Sequence, residues 1–171
     1  MRKKAIDRSK CRGCKNCELA CIAVHSAGTT THTAYAAGMK TTERARNKVE
    51  CDPQKKNFPQ FCRHCDEPAC VEACTSGALT KGADGLVVCD HDICIGCYMC
   101  VMSCPYGMAR PSVQTDGKMI KCDGCRGRDA MACVAACPQR CLTAVEVDDP
   151  KDGHLLYADE PAAPNACRST P

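Results

Sequence analysis

Residues 94–105 read Cys94-Ile95-Gly96-Cys97-Tyr98-Met99-Cys100-Val101-Met102-Ser103-Cys104-Pro105. Four cysteines stand at spacings of two, two and three residues, and a proline follows. Spacings of two wrap the chain tightly enough for three sulfurs to reach three corners of one cubane iron–sulfur core. The backbone N–H groups of such a loop turn inward toward the sulfides. Gly96 suits the loop, because a missing Cβ permits a tight turn with positive φ. The fourth cysteine is expected to start a helix and to point away from its own loop.

Three further sets repeat this arrangement. Cys11, Cys14, Cys17 and Cys21 keep the same spacing. Cys62, Cys65, Cys70 and Cys74 lengthen the second gap, as do Cys122, Cys125, Cys133 and Cys137, the last followed by Pro138. Sixteen of the twenty cysteines in this 171-residue chain fall into the four sets. They form an internal repeat, of which Cys94–Pro105 matches the bacterial ferredoxin run in full. Gly13 and Gly124 occupy the position of Gly96 in their own loops.

Cysteine is the organising residue here. There are two Phe, four Tyr and no Trp, so the side chains that usually fill a core are scarce. Disulfides would need export, and the segment after Met1-Arg2-Lys3-Lys4 is no apolar signal core. The cytoplasm is therefore the expected compartment. No stretch reaches the ~18–20 apolar residues of a membrane span, so no direct membrane insertion is expected. Zinc is the other metal that paired cysteines suggest. Zinc ribbons, however, use two pairs a dozen or more residues apart, not triplets with a fourth cysteine close behind. The formal charge of +3 counts cysteine as neutral. Four oxidised cubanes at about −2 each, thiolates included, would bring it to about −5, which removes any nucleic-acid reading.

Between the second and third sets, Leu79-Thr80 and Leu86-Val87-Val88 flank the turn residues Gly82, Asp84 and Gly85. That pattern predicts a short β-hairpin. Met119-Ile120-Lys121 and Leu142–Val147 predict matching strands near the fourth set. The fold class expected is α+β, with small helices after the cysteine sets and hairpins between them in a ferredoxin-like arrangement.

The ordered motifs CRGCKNCELAC (11–21), FCRHCDEPACVEAC (61–74), CIGCYMCVMSCPYG (94–107) and KCDGC with ACVAACP (121–138) carry a family resemblance. From Lys10 to Val147 the chain resembles the four-cluster iron–sulfur subunits of molybdopterin oxidoreductases. Their relatives serve carbon monoxide dehydrogenases, formate hydrogenlyases and tungsten aldehyde oxidoreductases. The resemblance implies two pseudo-symmetric ferredoxin-like modules in one chain, nested around four [4Fe-4S] clusters, in which the second set pairs with the third and the first with the fourth, with fourth cysteines exchanged. Cluster 1 would then be held by Cys11, Cys14, Cys17 and Cys137, and cluster 2 by Cys122, Cys125, Cys133 and Cys21. Cluster 3 would be held by Cys62, Cys65, Cys70 and Cys104, and cluster 4 by Cys94, Cys97, Cys100 and Cys74. It further implies single-electron relay to or from a catalytic redox subunit. That partner would be a molybdenum or tungsten enzyme, a carbon monoxide dehydrogenase or a hydrogenase, in anaerobic metabolism. A second electron-transfer or flavin subunit could join it. No catalysis is expected of this chain, since no acid–base pair or nucleophile stands out. A free soluble polyferredoxin is the alternative. Two departures from the family pattern are a short Cys125–Cys133 loop and the absence of proline after Cys21 and Cys74.

The expected organisation is a double ferredoxin-like domain over residues 1–147. Its inner module is 58–107, its outer module 5–24 with 117–147, and residues 25–57 form an insertion that both covers clusters 1 and 2 and docks a partner. Residues 148–171, with four prolines, read as an extended tail. Cys51, Cys89, Cys141 and Cys167 remain. Cys141 repeats the position of Ala78, which makes it a small buried filler, and Cys89 reads alike. Of the five histidines, His64 stands inside a cluster loop and is the candidate to tune a potential. His25, His32, His91 and His154 carry no metal role. Lys10, Arg12, Lys15, Arg63 and Lys121 flank ligands, as solvated surface or as charge that offsets a cluster.

Overall fold

The computed structural model describes residues 2–26, 43–51, 57–114, 117–146 and 156–157. Among these residues, nine short strands and four short α-helices are built around the cysteine loops. Strand β1 (Arg2–Ile6) pairs antiparallel with β8 (Leu142–Glu146), Ile6 facing Leu142, and parallel with β9 (Leu156–Tyr157). Three two-stranded antiparallel ribbons complete the sheets. They are β2 (Lys48–Cys51) with β3 (Asn57–Gln60), β4 (Leu79–Lys81) with β5 (Val87–Cys89), and β6 (Arg110–Pro111) with β7 (Met119–Ile120).

The hairpin expected between the second and third sets is β4–β5, closed across Gly82 and Gly85. The strands expected at Met119 and Leu142 are present, but neither pairs with the other. Met119–Ile120 pairs with Arg110–Pro111, while Leu142–Glu146 pairs with β1. The strand β1 itself was hidden, because Arg2-Lys3-Lys4 reads as a polar basic terminus.

The helices are α1 (Asn16–His25), α2 (Ala69–Glu72), α3 (Met99–Ser103) and α4 (Ala132–Ala135). They correct the expectation that the fourth cysteine begins a helix. The third cysteine of each set lies in the first turn: Cys17, Cys70, Cys100 and Cys133. The fourth lies at the far end or just beyond, except Cys21, which stays inside α1 four residues from Cys17 and on the same face. None of the four helices has a side-chain N-cap, their cap positions being Lys15, Pro68, Tyr98 and Met131. Their opening N–H groups are thus left to the sulfur sites.

Helix α1 packs on α4, and α2 packs on α3. Two apolar cores follow. One joins Ile6, Val49, Phe61, Met131 and Leu142 to Cys17, Cys133 and Cys141. The other joins Leu79, Val87, Ala109 and Met119 to Cys100. Cysteine sulfur forms part of both, which answers the shortage of aromatic side chains. Of the insertion, residues 27–42 and 52–56 lie outside the described residues, as do Cys167 and most of the tail.

Candidate metal centre

Tight loops set the sulfurs. Gly13, Gly96 and Gly124 have φ of 69°, 69° and 72°. At Gly96 a Cβ would stand 2.8 Å from the Gly117 carbonyl oxygen, so glycine is required twice over, by backbone conformation and by space. The second set has His64 at this loop position, still at φ 49°. Histidine is among the residues that tolerate the left-handed region, at some cost.

Two cavities are lined by cysteines from different sets. One is walled by Cys62, Cys65 and Cys70 together with Cys104. The other is walled by Cys94, Cys97 and Cys100 together with Cys74. Cys89 also lines the second cavity and is half-buried, so it is a cavity wall where a buried filler was expected. Around α1 and α4 the sulfurs mix in the same way. Cys21 is close enough to Cys122 and Cys133 for their charge to act on it, and Cys17 lies near Cys133 and Cys11. Cys137 stands 3.4 Å from the sulfur of Cys141, which also feels Cys11. Cys14 and Cys97 are the exposed sulfurs of the first and third loops, whereas Cys125 is buried.

Burial followed by mutual repulsion pushes these thiols up: Cys17 and Cys21 to about 12, Cys70 and Cys133 to about 11. Four thiolates cannot converge in such a site without a cation among them. A cationic iron–sulfide core removes the conflict, and the sites supply donors for its anionic sulfurs. Met99 N–H and the Thr75 hydroxyl hold the Cys97 thiol low. The Arg46 N–H donates to Cys21 Sγ at 3.3 Å, Met108 N–H to Cys104 Sγ at 3.4 Å, and Gly124 N–H to Cys122 Sγ at 3.4 Å. The donor set fits [4Fe-4S] clusters.

The Cys21 and Cys122 loops are tied by side chains that the sequence did not single out. Arg46 Nη1 donates to Asp123 Oδ2 at 2.7 Å. His25 lies with Nδ1 2.8 Å from the Cys21 carbonyl and Nε2 3.2 Å from Asp123. Burial alone would raise the Asp123 carboxyl; His25 and Arg46 instead hold it far below the usual range. Lys4 was also passed over. Burial opposes its charge, yet the Cys122 and Cys133 thiolates raise its pKa above the ordinary lysine value. Cys122 responds in kind: burial works against its thiolate, but Lys4 and His64 hold it well below a normal thiol. Of the flanking basic residues, Lys10, Arg12 and Lys15 are exposed and Arg63 half-buried, whereas Lys121 is buried.

The 4Fe-4S dicluster domain matches residues 53–149, and the 4Fe-4S binding domain matches residues 8–21. Among similar proteins is the probable anaerobic dimethyl sulfoxide reductase chain YnfG of Escherichia coli K12. It is 37% identical over 94% of this chain and 81% of its own length. A second anaerobic dimethyl sulfoxide reductase chain of the same organism is 39% identical over 87% of this chain and 75% of its own length. A tetrathionate reductase subunit of Archaeoglobus fulgidus is 37% identical over 72% of this chain and 54% of its own length. The chain belongs to the ferredoxin-type 4Fe-4S electron-transfer subunits of molybdopterin oxidoreductases. It carries four [4Fe-4S] clusters and is a non-catalytic subunit of a redox enzyme, a role its relatives favour over that of a free polyferredoxin. No helix among the described residues is long and apolar enough to cross a membrane.

Proposed function

We propose that the sixteen cysteines of the four sets hold four clusters with fourth ligands exchanged between paired loops. Cys104 completes the site of Cys62, Cys65 and Cys70, and Cys74 that of Cys94, Cys97 and Cys100. Cys137 completes the site of Cys11, Cys14 and Cys17, and Cys21 that of Cys122, Cys125 and Cys133. The observation that carries this is the lining of the two cavities, each closed by the fourth cysteine of the other set. The packing of α1 on α4 and of α2 on α3 supports the same exchange, and with it the two nested modules.

The clusters supply one-electron redox chemistry. The protein holds them, leaves Cys14 and Cys97 as the exposed cysteines of the four sets, and turns N–H groups toward their sulfurs. Those two positions, on different loops, suit electron entry and exit. The partner we propose is a molybdopterin catalytic subunit of a reductase that acts on a compound of the dimethyl sulfoxide or tetrathionate kind. The relatives' names favour this over a carbon monoxide dehydrogenase or hydrogenase. The cytoplasm remains the proposed site of assembly, because sixteen ligand thiols must stay reduced.

The test is anaerobic purification from the source cells, with co-purifying subunits identified by mass spectrometry. Co-elution with a molybdopterin subunit is expected; a chain that elutes alone at native levels would overturn the partner reading. For the ligands, Cys104→Ala should perturb the cluster of Cys62, Cys65 and Cys70 by paramagnetic resonance. A perturbed Cys94 cluster instead would overturn the exchange.

A further inference from the structure

Two lysines and a histidine meet in the interior, each from a different part of the chain. Lys4 on β1 is 4% exposed, Lys121 after β7 is 5% exposed, and His64 in the second cluster loop is 7% exposed. Lysine is almost never buried so deeply without a partner. Among the described residues, neither lysine forms an ion pair with a carboxylate; what they meet is sulfur and backbone. Lys4 Nζ donates to Cys122 Sγ at 3.2 Å and stands 5.5 Å from the centre of the Phe61 ring. Lys121 Nζ donates to the carbonyls of Val87 and Cys122, the latter at 2.8 Å.

His64 completes the group. Its Nδ1 accepts the Val87 N–H at 3.0 Å, which places the proton of a neutral ring on Nε2. That atom is buried and faces the Cys122 sulfur, on which it acts. The other three loops have glycine here, so a left-handed histidine is kept where glycine would cost nothing. The positive charge also reaches the second loop: both lysines act on Cys62, and Lys121 acts on Cys70.

The charges therefore lie between the Cys62 loop and the Cys122 loop. None of the cysteines of these two loops is exposed, while Cys14 and Cys97 of the other two are. Reduction adds one negative charge to a cluster, and a nearby buried cation stabilises that added charge more than water-screened charge can. We propose that Lys4, with Lys121 and His64, tunes the two interior clusters, raising their reduction potentials above what their cysteines alone would give. Both lysines reach the two loops: Lys4 donates to the Cys122 sulfur and acts on Cys62, and Lys121 donates to the Cys122 carbonyl and acts on Cys62 and Cys70. This rests on the reading of Cys122 and Cys62 as cluster ligands.

The experiment uses the full chain, purified anaerobically with whatever subunit accompanies it. Iron content and midpoint potentials, by paramagnetic resonance during redox titration, are read for the parent, Cys122→Ala, Lys4→Met, Lys4→Arg and Lys121→Met. A Cys122→Ala chain with all four resonances unchanged would overturn the ligand reading, whatever the lysine variants do. With that reading secure, Lys4→Met should keep its iron and make two of the four midpoints more negative. The shift should be at least tenfold in the reduction equilibrium, about 59 mV for one electron. Lys4→Arg should restore them. If Lys4→Met sheds iron while Lys4→Arg keeps it, Lys121→Met decides by the same criterion. Unchanged midpoints with iron retained, an equal shift of all four, or iron loss from Lys4→Met and Lys4→Arg alike would overturn the proposal.

Discussion

The sulfur of Cys141 lies 3.4 Å from the sulfur of Cys137. Cys141 is buried, and burial with the neighbouring Cys137 raises its thiol well above the normal value. A thiol so held is a poor thiolate, and its place in the repeat belongs to Ala78. Cys141→Ala is therefore expected to retain the parent's iron content, with a stability loss of about 1 kcal/mol for the small volume removed. Iron analysis checks it; the loss of about four irons, one cubane's complement, would make Cys141 a ligand.

Iron and acid-labile sulfide should each reach about sixteen per anaerobically purified chain, the complement of four cubanes. Colorimetric assay of both on one sample measures this. Zinc in place of iron, or about twelve irons, would contradict it.

Gly96→Ala should destabilise far more than Gly107→Ala. Both glycines have positive φ, 69° and 60°, which costs an ordinary residue about 1–2 kcal/mol. Only Gly96 adds a clash, with the backbone carbonyl of Gly117; nothing lies within 4 Å of a Cβ at Gly107. The rate of bleaching of the visible absorption in denaturant should rank Gly96→Ala fastest, Gly107→Ala next and the parent slowest.

Asp123 gives a dependence on pH. Its carboxyl is depressed in the folded chain by His25 and Arg46 against the opposing effect of burial. A depressed carboxylate stabilises the fold fully above the ordinary carboxylate range, and that stabilisation is lost as pH falls through and below it. Asp123→Asn should therefore release its clusters faster than the parent at neutral pH. The ratio of the two rates should fall toward one as the medium is acidified below pH ~4. A ratio constant with pH would show that the ion pair contributes nothing.

The cluster loops and the β4–β5 hairpin were legible because their causes are local. A loop of three cysteines must turn tightly, and Gly13, Gly96 and Gly124 show where. Leu79-Thr80 and Leu86-Val87-Val88 stand on either side of the turn residues Gly82, Asp84 and Gly85, which suffices for a hairpin. The start of the helices was misplaced for an equally local reason. Residues Lys15 and Tyr98 take left-handed backbone just after the second cysteine and release the chain into a helix one cysteine early. No spacing rule announces that.

What the sequence by itself determined is the chemistry: sixteen sulfurs in four spaced sets, which fit cubane clusters and little else. What only the tertiary structure decided is which distant groups face each set. Cys104 reaches the Cys62 cavity because α2 packs on α3. Lys4 reads as part of a solvated basic end until β1 pairs with β8 and buries it against Cys122. Ligand spacing is fixed by the reach of a few bonds within one loop. The electrostatic surroundings are assembled from residues more than a hundred positions apart, and only the packed chain brings these together.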